Sequence, residues 1–93
     1  MKIVELVAGA NKDLWTSSTK SLRIGGGVTS IRLENFFWQI LDEIGKQVKL
    51  PLPQLISRLH QESLIAGYNL SNFTSFLRVC CAHYLRLGKP ALE

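Results

Sequence analysis

The chain has 93 residues, of which 46% are hydrophobic and 19% are charged. This length supports one domain, and the apolar content is too high for an intrinsically disordered protein. No apolar run reaches the roughly 18 to 20 residues that a membrane span needs, so we expect a soluble protein without a membrane anchor. The apolar content is also high for so small a monomer, which suggests a partner subunit.

The formal net charge of +4 is distributed unevenly along the chain. Through Arg32 five basic residues accompany two acidic ones, whereas from Leu33 onwards six basic residues accompany five acidic ones. A positive excess favours a polyanionic partner such as nucleic acid. The first third of the chain is therefore the better candidate for such a contact.

The two cysteines, Cys80 and Cys81, are neighbours in the sequence. Neighbouring cysteines cannot form an ordinary disulfide framework within one chain. We therefore expect a reducing, cytoplasmic location, and the first ten residues show no convincing secretory signal.

Residues 1–27 show no sustained periodicity, and we predict that they form a partly ordered N-terminal arm. The run Gly25 to Gly27 at its end is typical of a hinge or a turn, because glycine tolerates positive φ. It is not a phosphate-binding loop, since the Lys-Ser/Thr pair of such loops is missing.

Residues 28–33 have the period of a half-buried strand. One side of this strand carries Thr29, Ile31 and Leu33, and the other side carries Val28, Ser30 and Arg32. This is the only strand that the pattern clearly predicts. The glycine run could alternatively turn residues 21–24 back against it as a hairpin, and the sequence leaves that alternative open.

Three helices follow the strand, each predicted from apolar residues at helical spacing. The first begins at Asn35, with Glu34 or Asn35 as its cap, and its stripe comprises Phe37, Ile40, Leu41, Ile44 and Val48. The second begins near Pro51 and stops at Gly67, with a stripe of Leu52, Leu55, Ile56 and Leu59. The third follows Ser71 and ends by Gly88, with a stripe of Phe73, Phe76, Leu77, Cys80 and Tyr84.

A single strand leaves its main-chain groups unpaired and is not stable alone in water. The economical solution is the same strand from a twofold-related subunit, which gives an antiparallel ribbon between two chains. We therefore predict a mainly α-helical fold with one short strand, in which a homodimer forms the two-stranded ribbon. The domain would span residues 28–86, including the third helix, and residues 87–93 would form a C-terminal tail.

The outer face of such a ribbon has the width to enter the DNA major groove. Arg32 can donate two hydrogen bonds to guanine, Ser30 can donate or accept one, and Val28 can contact a thymine methyl group. These three residues are our candidates for reading bases. A shift of one residue in strand register would exchange the reading face for the core face.

The stretch Thr29 to Glu34, followed by Phe37, Trp38, Leu41, Ile44 and a segment from Leu50 to Ile56, resembles the Arc/MetJ-type ribbon-helix-helix superfamily. It is most similar to a family of short bacterial proteins with a ribbon-helix-helix domain. The resemblance covers roughly residues 21–86, and its specificity comes from the joint order and spacing of weak motifs.

The resemblance implies a dimer that places its paired strands in the major groove, with the second helix contacting phosphate. The dimer core would comprise Ile31, Leu33, Phe37, Trp38, Leu41, Ile44, Leu55, Ile56 and Leu59. Here Pro51 and Pro53 remove two amide donors from the second helix, so Leu52 and Gln54 must supply the phosphate contact. Further phosphate contacts are expected from Lys20, Arg23 and Lys49.

Metal and nucleophilic chemistry would depend on His60, His83, Cys80 and Cys81. These residues do not form the paired spacings of a zinc site, and no acid is placed to orient a Cys-His pair. We expect no metal, no cofactor and no enzymatic activity.

The sequence predicts a DNA-binding transcriptional regulator, a repressor that occludes a promoter by binding a short palindromic site in double-stranded DNA. A dimer of dimers is compatible with this interpretation. The alternative is a protein-interaction module, such as an antitoxin, in which the dimer is a scaffold and the arm or third helix binds a protein partner.

Overall fold

The computed structural model describes residues 1–92, so the end of the predicted tail at Glu93 lies outside it. Within this range two short helices precede two strands and three longer helices. In chain order they are α1 (Ile3–Gly9), α2 (Lys12–Trp15), β1 (Ser17–Ile24), β2 (Gly27–Glu34), α3 (Asn35–Val48), α4 (Leu52–Ile65) and α5 (Phe73–Arg86).

The two strands pair with each other as an antiparallel hairpin inside one chain. The turn consists of Gly25 and Gly26, whose φ values of 58° and 87° are both positive. Two consecutive positive φ values define the type I′ turn, whose twist matches that of the flanking strands. The prediction of a single strand paired only between subunits is therefore wrong, and the hairpin alternative is the one found.

Strand β1 was not predicted, because its side chains alternate between the core and the solvent only in its second half. Leu22 and Ile24 are buried. Its first half is held by polar contacts instead: the indole Nε1 of Trp38 donates to the carbonyl of Ser18 over 3.0 Å. The Ser18 hydroxyl and the Asn35 side chain form a further hydrogen bond.

The hairpin has one face covered by helices and one face open. The covered face contributes Leu22, Ile24, Ile31 and Leu33 to the core. The helices contribute Trp38, Ile40, Leu41, Ile44, Leu55, Ile56, Leu77, Cys81 and Tyr84. Burying these side chains stabilises one chain on its own, since removal of apolar surface from water is the main driving force of folding.

The connection between α3 and α4 is unusually tight. Helix α3 ends at Val48, and its C-cap Lys49 has the left-handed conformation, with φ 59°. The Leu50 amide donates to the Gly45 carbonyl over 2.9 Å. A Cβ at Gly45 would lie 2.7 Å from the Leu50 carbonyl oxygen. Only glycine therefore permits this approach, which fixes where α4 begins.

The third predicted helix is confirmed as α5, although its cap lies one residue later than expected. Asn72 accepts a hydrogen bond from the Ser75 amide at 3.1 Å, whereas Ser71 had been the expected cap. Helix α4 ends at Ile65, just before Gly67, whose φ is 83°. In the described part of the chain no helix is long and apolar enough to cross a membrane.

Candidate nucleic-acid interface

The open face of the hairpin presents six side chains from two strands. The strand register pairs Thr19 with Arg32, Ser21 with Ser30, and Arg23 with Val28. All six residues are exposed. We call this surface the outer face. The side chains predicted to read bases, those of Val28, Ser30 and Arg32, thus lie together on it.

The outer face carries positive charge without a nearby free carboxylate. Arg23 and Arg32 lie on it, and Glu34 is the only acid in either strand. Arg78 of α5 donates to the Glu34 carboxylate over 2.9 Å. This hydrogen bond, aided by a main-chain one, holds the pKa of Glu34 below its ordinary value. The carboxylate therefore stays ionised, and the Arg78 guanidinium compensates its negative charge.

The centre of the outer face is small and polar. The hydroxyl oxygens of Ser21 and Ser30 lie 3.3 Å apart across the strands. Arg23 and Arg32 lie towards opposite ends, about 13 Å apart along the strand direction at about 3.3 Å per residue. Small hydroxyl residues between two arginines allow close approach of another surface to the main chain.

Lys20 lies on the opposite face of the hairpin. Its register partner is the buried Ile31, and its Nζ is 5.5 Å from the ring centroid of Trp38. An ammonium group over an indole ring is a favourable cation–π arrangement. The structure therefore separates Lys20 from Arg23, with which it is grouped above as a predicted phosphate contact.

The hairpin turn lies beside the beginning of α4. Ser57 donates to the Arg23 carbonyl over 2.9 Å, which ties the turn to the helix. A shallow groove of about 300 Å³ lies between them, lined by Arg23, Gly25, Gly26, Pro53, Gln54 and Ser57. Arg23 and Gln54, two predicted phosphate contacts, thus share one groove.

The two remaining predicted phosphate contacts, Leu52 and Lys49, precede the groove residue Pro53 in the sequence. Leu52 is the first residue of α4, and its side chain is half-buried against the core. Pro51 and Pro53 carry no amide hydrogen, so Leu52 and Gln54 supply the first amide donors of the helix. Lys49 is exposed at the end of α3, three residues before Leu52.

The residues expected to form a dimer core are buried within one chain. Seven of them belong to the core described above: Ile31, Leu33, Trp38, Leu41, Ile44, Leu55 and Ile56. The remaining two, Phe37 and Leu59, are partly buried against it. Their burial needs no second subunit, because β1 supplies the neighbouring strand.

One edge of the hairpin has no partner among residues 1–92. The Asn35 amide donates to the Thr16 carbonyl over 2.8 Å, which extends the hydrogen-bond ladder by one pair beyond Ser17 and Glu34. This pair fixes which residues of β2 direct their main-chain amide and carbonyl groups towards β1, because that direction alternates along a strand. By alternation, the main-chain groups of Val28, Ser30 and Arg32 point away from β1, and no group of residues 1–92 bonds them there. An open edge of this kind is a template for pairing with another strand.

The four residues on which metal or nucleophilic chemistry would depend do not form a metal site among residues 1–92. These residues contain no group of three His, Cys, Asp or Glu side chains that could hold a metal ion. Cys81 is fully buried, and burial together with the neighbouring Cys80 raises the pKa of its thiol to about 12. His60 packs edge-on against Phe73 at 5.3 Å between ring centroids.

Sequence reasoning missed Thr19 and Ser21 of the outer face. Their polar run, residues 16–19 with Ser21 beyond it, looks like a loop when read alone. The signal that could have found them is the alternation of Ser21, Leu22, Arg23 and Ile24 immediately before a glycine pair, which is typical of a hairpin arm.

Comparisons with known proteins agree with this architecture. No curated protein matches the chain. Among solved structures, an uncharacterized protein from Bordetella pertussis Tohama I is similar, with 40% sequence identity and a TM-score of 0.87. The match covers 95% of this chain and 70% of that one. The model of the ribbon-helix-helix domain matches residues 17–85, from the start of β1 to the last turn of α5, and the chain therefore belongs to the ribbon-helix-helix domain family.

Proposed function

We propose that this protein is a sequence-specific DNA-binding regulator that reads the major groove with the outer face of its hairpin. The observation that carries the proposal is the exposed face with two arginines, small hydroxyl residues and no free carboxylate. Ribbon-helix-helix domains generally form dimers and bind DNA, and they are in general not enzymes. Repression would follow where the bound site overlaps a promoter.

The open edge of β2 supports a homodimer in which two β2 strands pair antiparallel. A twofold axis at Ser30 places Ser30 opposite its copy and Val28 opposite Arg32 of the second chain. The main-chain groups of these residues that lack a partner would then form about six hydrogen bonds. The result is a four-stranded sheet with the two β2 strands in its centre.

Other registers of the β2 pair are less favourable. Centring the pair on Arg32 would place two arginines directly opposite each other, and like charges in this position are destabilising. Centring it on Val28 would leave the main-chain groups of Arg32 without partners. The Ser30 register avoids both costs.

The width of the major groove assigns different roles to the strands. Four strands about 4.8 Å apart span about 14 Å, whereas the groove is about 12 Å wide. Only the central pair can enter, so β1 lies over the phosphates on either side. Arg32, Ser30 and Val28 would then contact bases, while Arg23, Ser21 and Thr19 would contact the backbone.

The geometry of the central pair predicts the form of the DNA site. The two Arg32 side chains lie about 13 Å apart along the strands, about four steps of 3.4 Å along DNA. An arginine reads guanine through O6 and N7. The preferred site is therefore an inverted repeat with guanines about four base pairs apart.

Phosphate contacts would come from the groove between the turn and α4. There Arg23 and Gln54 share one surface, with the Leu52 and Gln54 amides at the helix start and Lys49 nearby. Two missing amides at Pro51 and Pro53 weaken this helix terminus as an anion site. The Arg23 guanidinium in the same groove supplies positive charge that compensates for these missing amides. Lys20 contributes less, because its ammonium group lies over Trp38.

The alternative of a protein-interaction module or antitoxin is not favoured. The feature that would favour it is the helix start of α4, where Pro51 and Pro53 remove two amide donors and so weaken a phosphate contact. Arg23 lies at the same groove and supplies a charge that the helix start lacks. No comparison with a known protein favours a toxin partner.

The proposal is tested by measuring affinity for duplex DNA as a function of salt concentration. Arg23→Ala should weaken binding to all sequences and reduce the salt slope by about one. Arg32→Ala should cost about 1 to 3 kcal/mol per base contact on a preferred sequence and much less on random duplex. Arg86→Ala, which removes one positive charge at the end of α5, is the control and should change neither property. Equal behaviour of the Arg32 and Arg86 variants would refute the reading face.

A further inference from the structure

Arg78 of α5 is held in a fixed position beside the end of β2. Leu77, its neighbour in the helix, and Cys81, one turn further on, are fully buried in the core. The Nε of Arg78 donates to the Glu34 carboxylate over 2.9 Å. Because buried side chains hold α5 in place, the core of the protein determines where the Arg78 guanidinium meets the hairpin.

The Glu34–Arg78 ion pair is better shielded from solvent than the other ion pairs among residues 1–92. The side chains of Arg78 and Glu34 are 38% and 30% exposed. Each of the other three pairs has one side chain that is more than half exposed. Since water and salt screen exposed charges strongly, the partly buried pair persists better than the surface pairs.

Without Arg78, the Glu34 carboxylate would lie on the side of the hairpin that is proposed to meet DNA. Side chains alternate along a strand, so Glu34 projects from the same side of β2 as Arg32. Glu34 is also the N-cap of α3, but its side chain makes no capping hydrogen bond there. An unpaired carboxylate at this position would be about 7 Å along the strand from Arg32.

We propose that Arg78 is a positioning residue for DNA binding, which holds the Glu34 carboxylate away from the phosphates of the bound duplex. The inference rests on the proposed function and deepens it, because it gives α5 a part in DNA binding without a contact to DNA. A free carboxylate among the basic side chains of the outer face would repel phosphate and offset the positive charge of Arg32.

The proposed pairing of two β2 strands makes this position sensitive to charge. With the twofold axis at Ser30, Glu34 lies opposite Gly26 of the second chain, because residues at equal distances from the axis face each other. Gly26 lines the groove that also contains Arg23 and Gln54. Glycine has no side chain that could cover an opposing carboxylate. A free Glu34 would therefore lie beside the groove proposed to bind phosphate in the second chain.

A purely structural ion pair and a positioning role predict different effects of Glu34→Gln. If the pair served only to hold α5 on the hairpin, loss of either partner would weaken DNA binding in the same direction. If Arg78 acts by restraining a negative charge, loss of the carboxylate makes Arg78 unnecessary. Glu34→Gln should then bind DNA at least as tightly as the wild type, whereas Arg78→Met should bind it more weakly.

The test is the affinity of four proteins for a duplex of random sequence at several salt concentrations. Arg78→Met should bind about five- to tenfold more weakly at low salt, because one unpaired charge per chain acts twice in a dimer. The difference should shrink as salt rises and screens the repulsion. Glu34→Gln combined with Arg78→Met removes both charges and should restore the affinity of the wild type.

Arg58→Met is the matched control. It also removes one positive charge and releases one carboxylate, that of Glu62, but this pair lines the groove between α3 and α4. Its affinity for DNA should differ from that of the wild type by less than about twofold.

The inference is overturned if the double variant binds as weakly as Arg78→Met, or if Glu34→Gln alone weakens binding equally. Equal affinity of the wild type and all variants would overturn it too, while leaving the proposed function intact. Absence of binding by the wild type at low salt would refute the proposed function and this inference together.

Discussion

Individual residues of β2 follow the period of a strand closely. Ile31 and Leu33 are buried. Arg32, which lies between them, and Ser30, which precedes them, are exposed. Alternation predicts this because successive side chains of a strand point to opposite faces. Thr29 was expected on the core side but is exposed, since it lies towards the turn, where the helices no longer cover the hairpin.

At the same scale, the ion pair between Glu34 and Arg78 could not be predicted. The two residues are 44 positions apart, and only the packing of α5 on the hairpin brings them within 2.9 Å. The pair matters because it removes the one negative charge of the hairpin from the electrostatics of the outer face.

The lowered pKa of Glu34 makes a prediction about pH. A carboxyl whose folded pKa is depressed stabilises the fold above its ordinary pKa of 4.5, and that stabilisation is lost as pH falls through the folded value. Glu34→Gln should therefore lower the free energy of unfolding by about 0.5 to 1 kcal/mol at pH 7, since partial exposure screens the pair.

Urea unfolding at several pH values measures this difference. The gap between wild type and Glu34→Gln should close as pH falls below 4.5. Glu62→Gln, which breaks the more exposed pair with Arg58, is the control and should have a smaller effect. A gap that stays constant with pH would show that the carboxylate charge is not the cause.

Among the elements, the three long helices were predictable and β1 was not. Apolar residues at helical spacing identify α3, α4 and α5 from local sequence alone. Strand β1 depends on contacts distant in sequence, such as the hydrogen bond from Trp38 to Ser18, and six of its eight residues are polar. Its pairing is therefore a tertiary property rather than a local one.

The hairpin turn gives a sharp test at the element scale. Gly25→Ala forces a side chain into the left-handed region, which costs about 1 to 2 kcal/mol. The new Cβ would lie 3.9 Å from the nearest His60 atom, an ordinary contact, so the cost is one of backbone conformation alone. The matched control is Gly27→Ala, because Gly27 is the first residue of β2 and does not have a positive φ.

Thermal and urea unfolding of both variants distinguish these effects. Gly25→Ala should be clearly less stable than wild type, and Gly27→Ala should be close to it. Equal stability of the two variants would mean that the turn does not adopt the positive φ values described here.

For the whole molecule, pairing within one chain changes the role of a dimer. A single strand would have required a second subunit in order to fold, whereas the hairpin buries its apolar face against its own helices. In the proposed dimer, pairing of the two β2 strands would serve recognition, because it would join two outer faces and make the DNA site twofold symmetric. The composition suggested a partner, and only the short alternation of residues 21–24 before the glycine run indicated that the chain could supply its own second strand.

A proline substitution at position 30 tests the proposed pairing of β2 strands. The Ser30 amide points away from β1, so Ser30→Pro removes a hydrogen bond between chains without removing one inside the hairpin. The variant should fold, as judged by circular dichroism, and should lose dimers in sedimentation. Ser30→Ala keeps the amide and should remain dimeric. Dimers in both variants would exclude this edge as the interface.

The central claim is that the outer face reads DNA through Arg32, and selection of bound fragments from random duplex DNA tests it most directly. Wild-type protein at moderate salt should enrich an inverted repeat with guanines about four base pairs apart, and Arg32→Ala should lose that enrichment while remaining folded. Enrichment of the same repeat by the variant, or no enrichment by the wild type, would contradict the account.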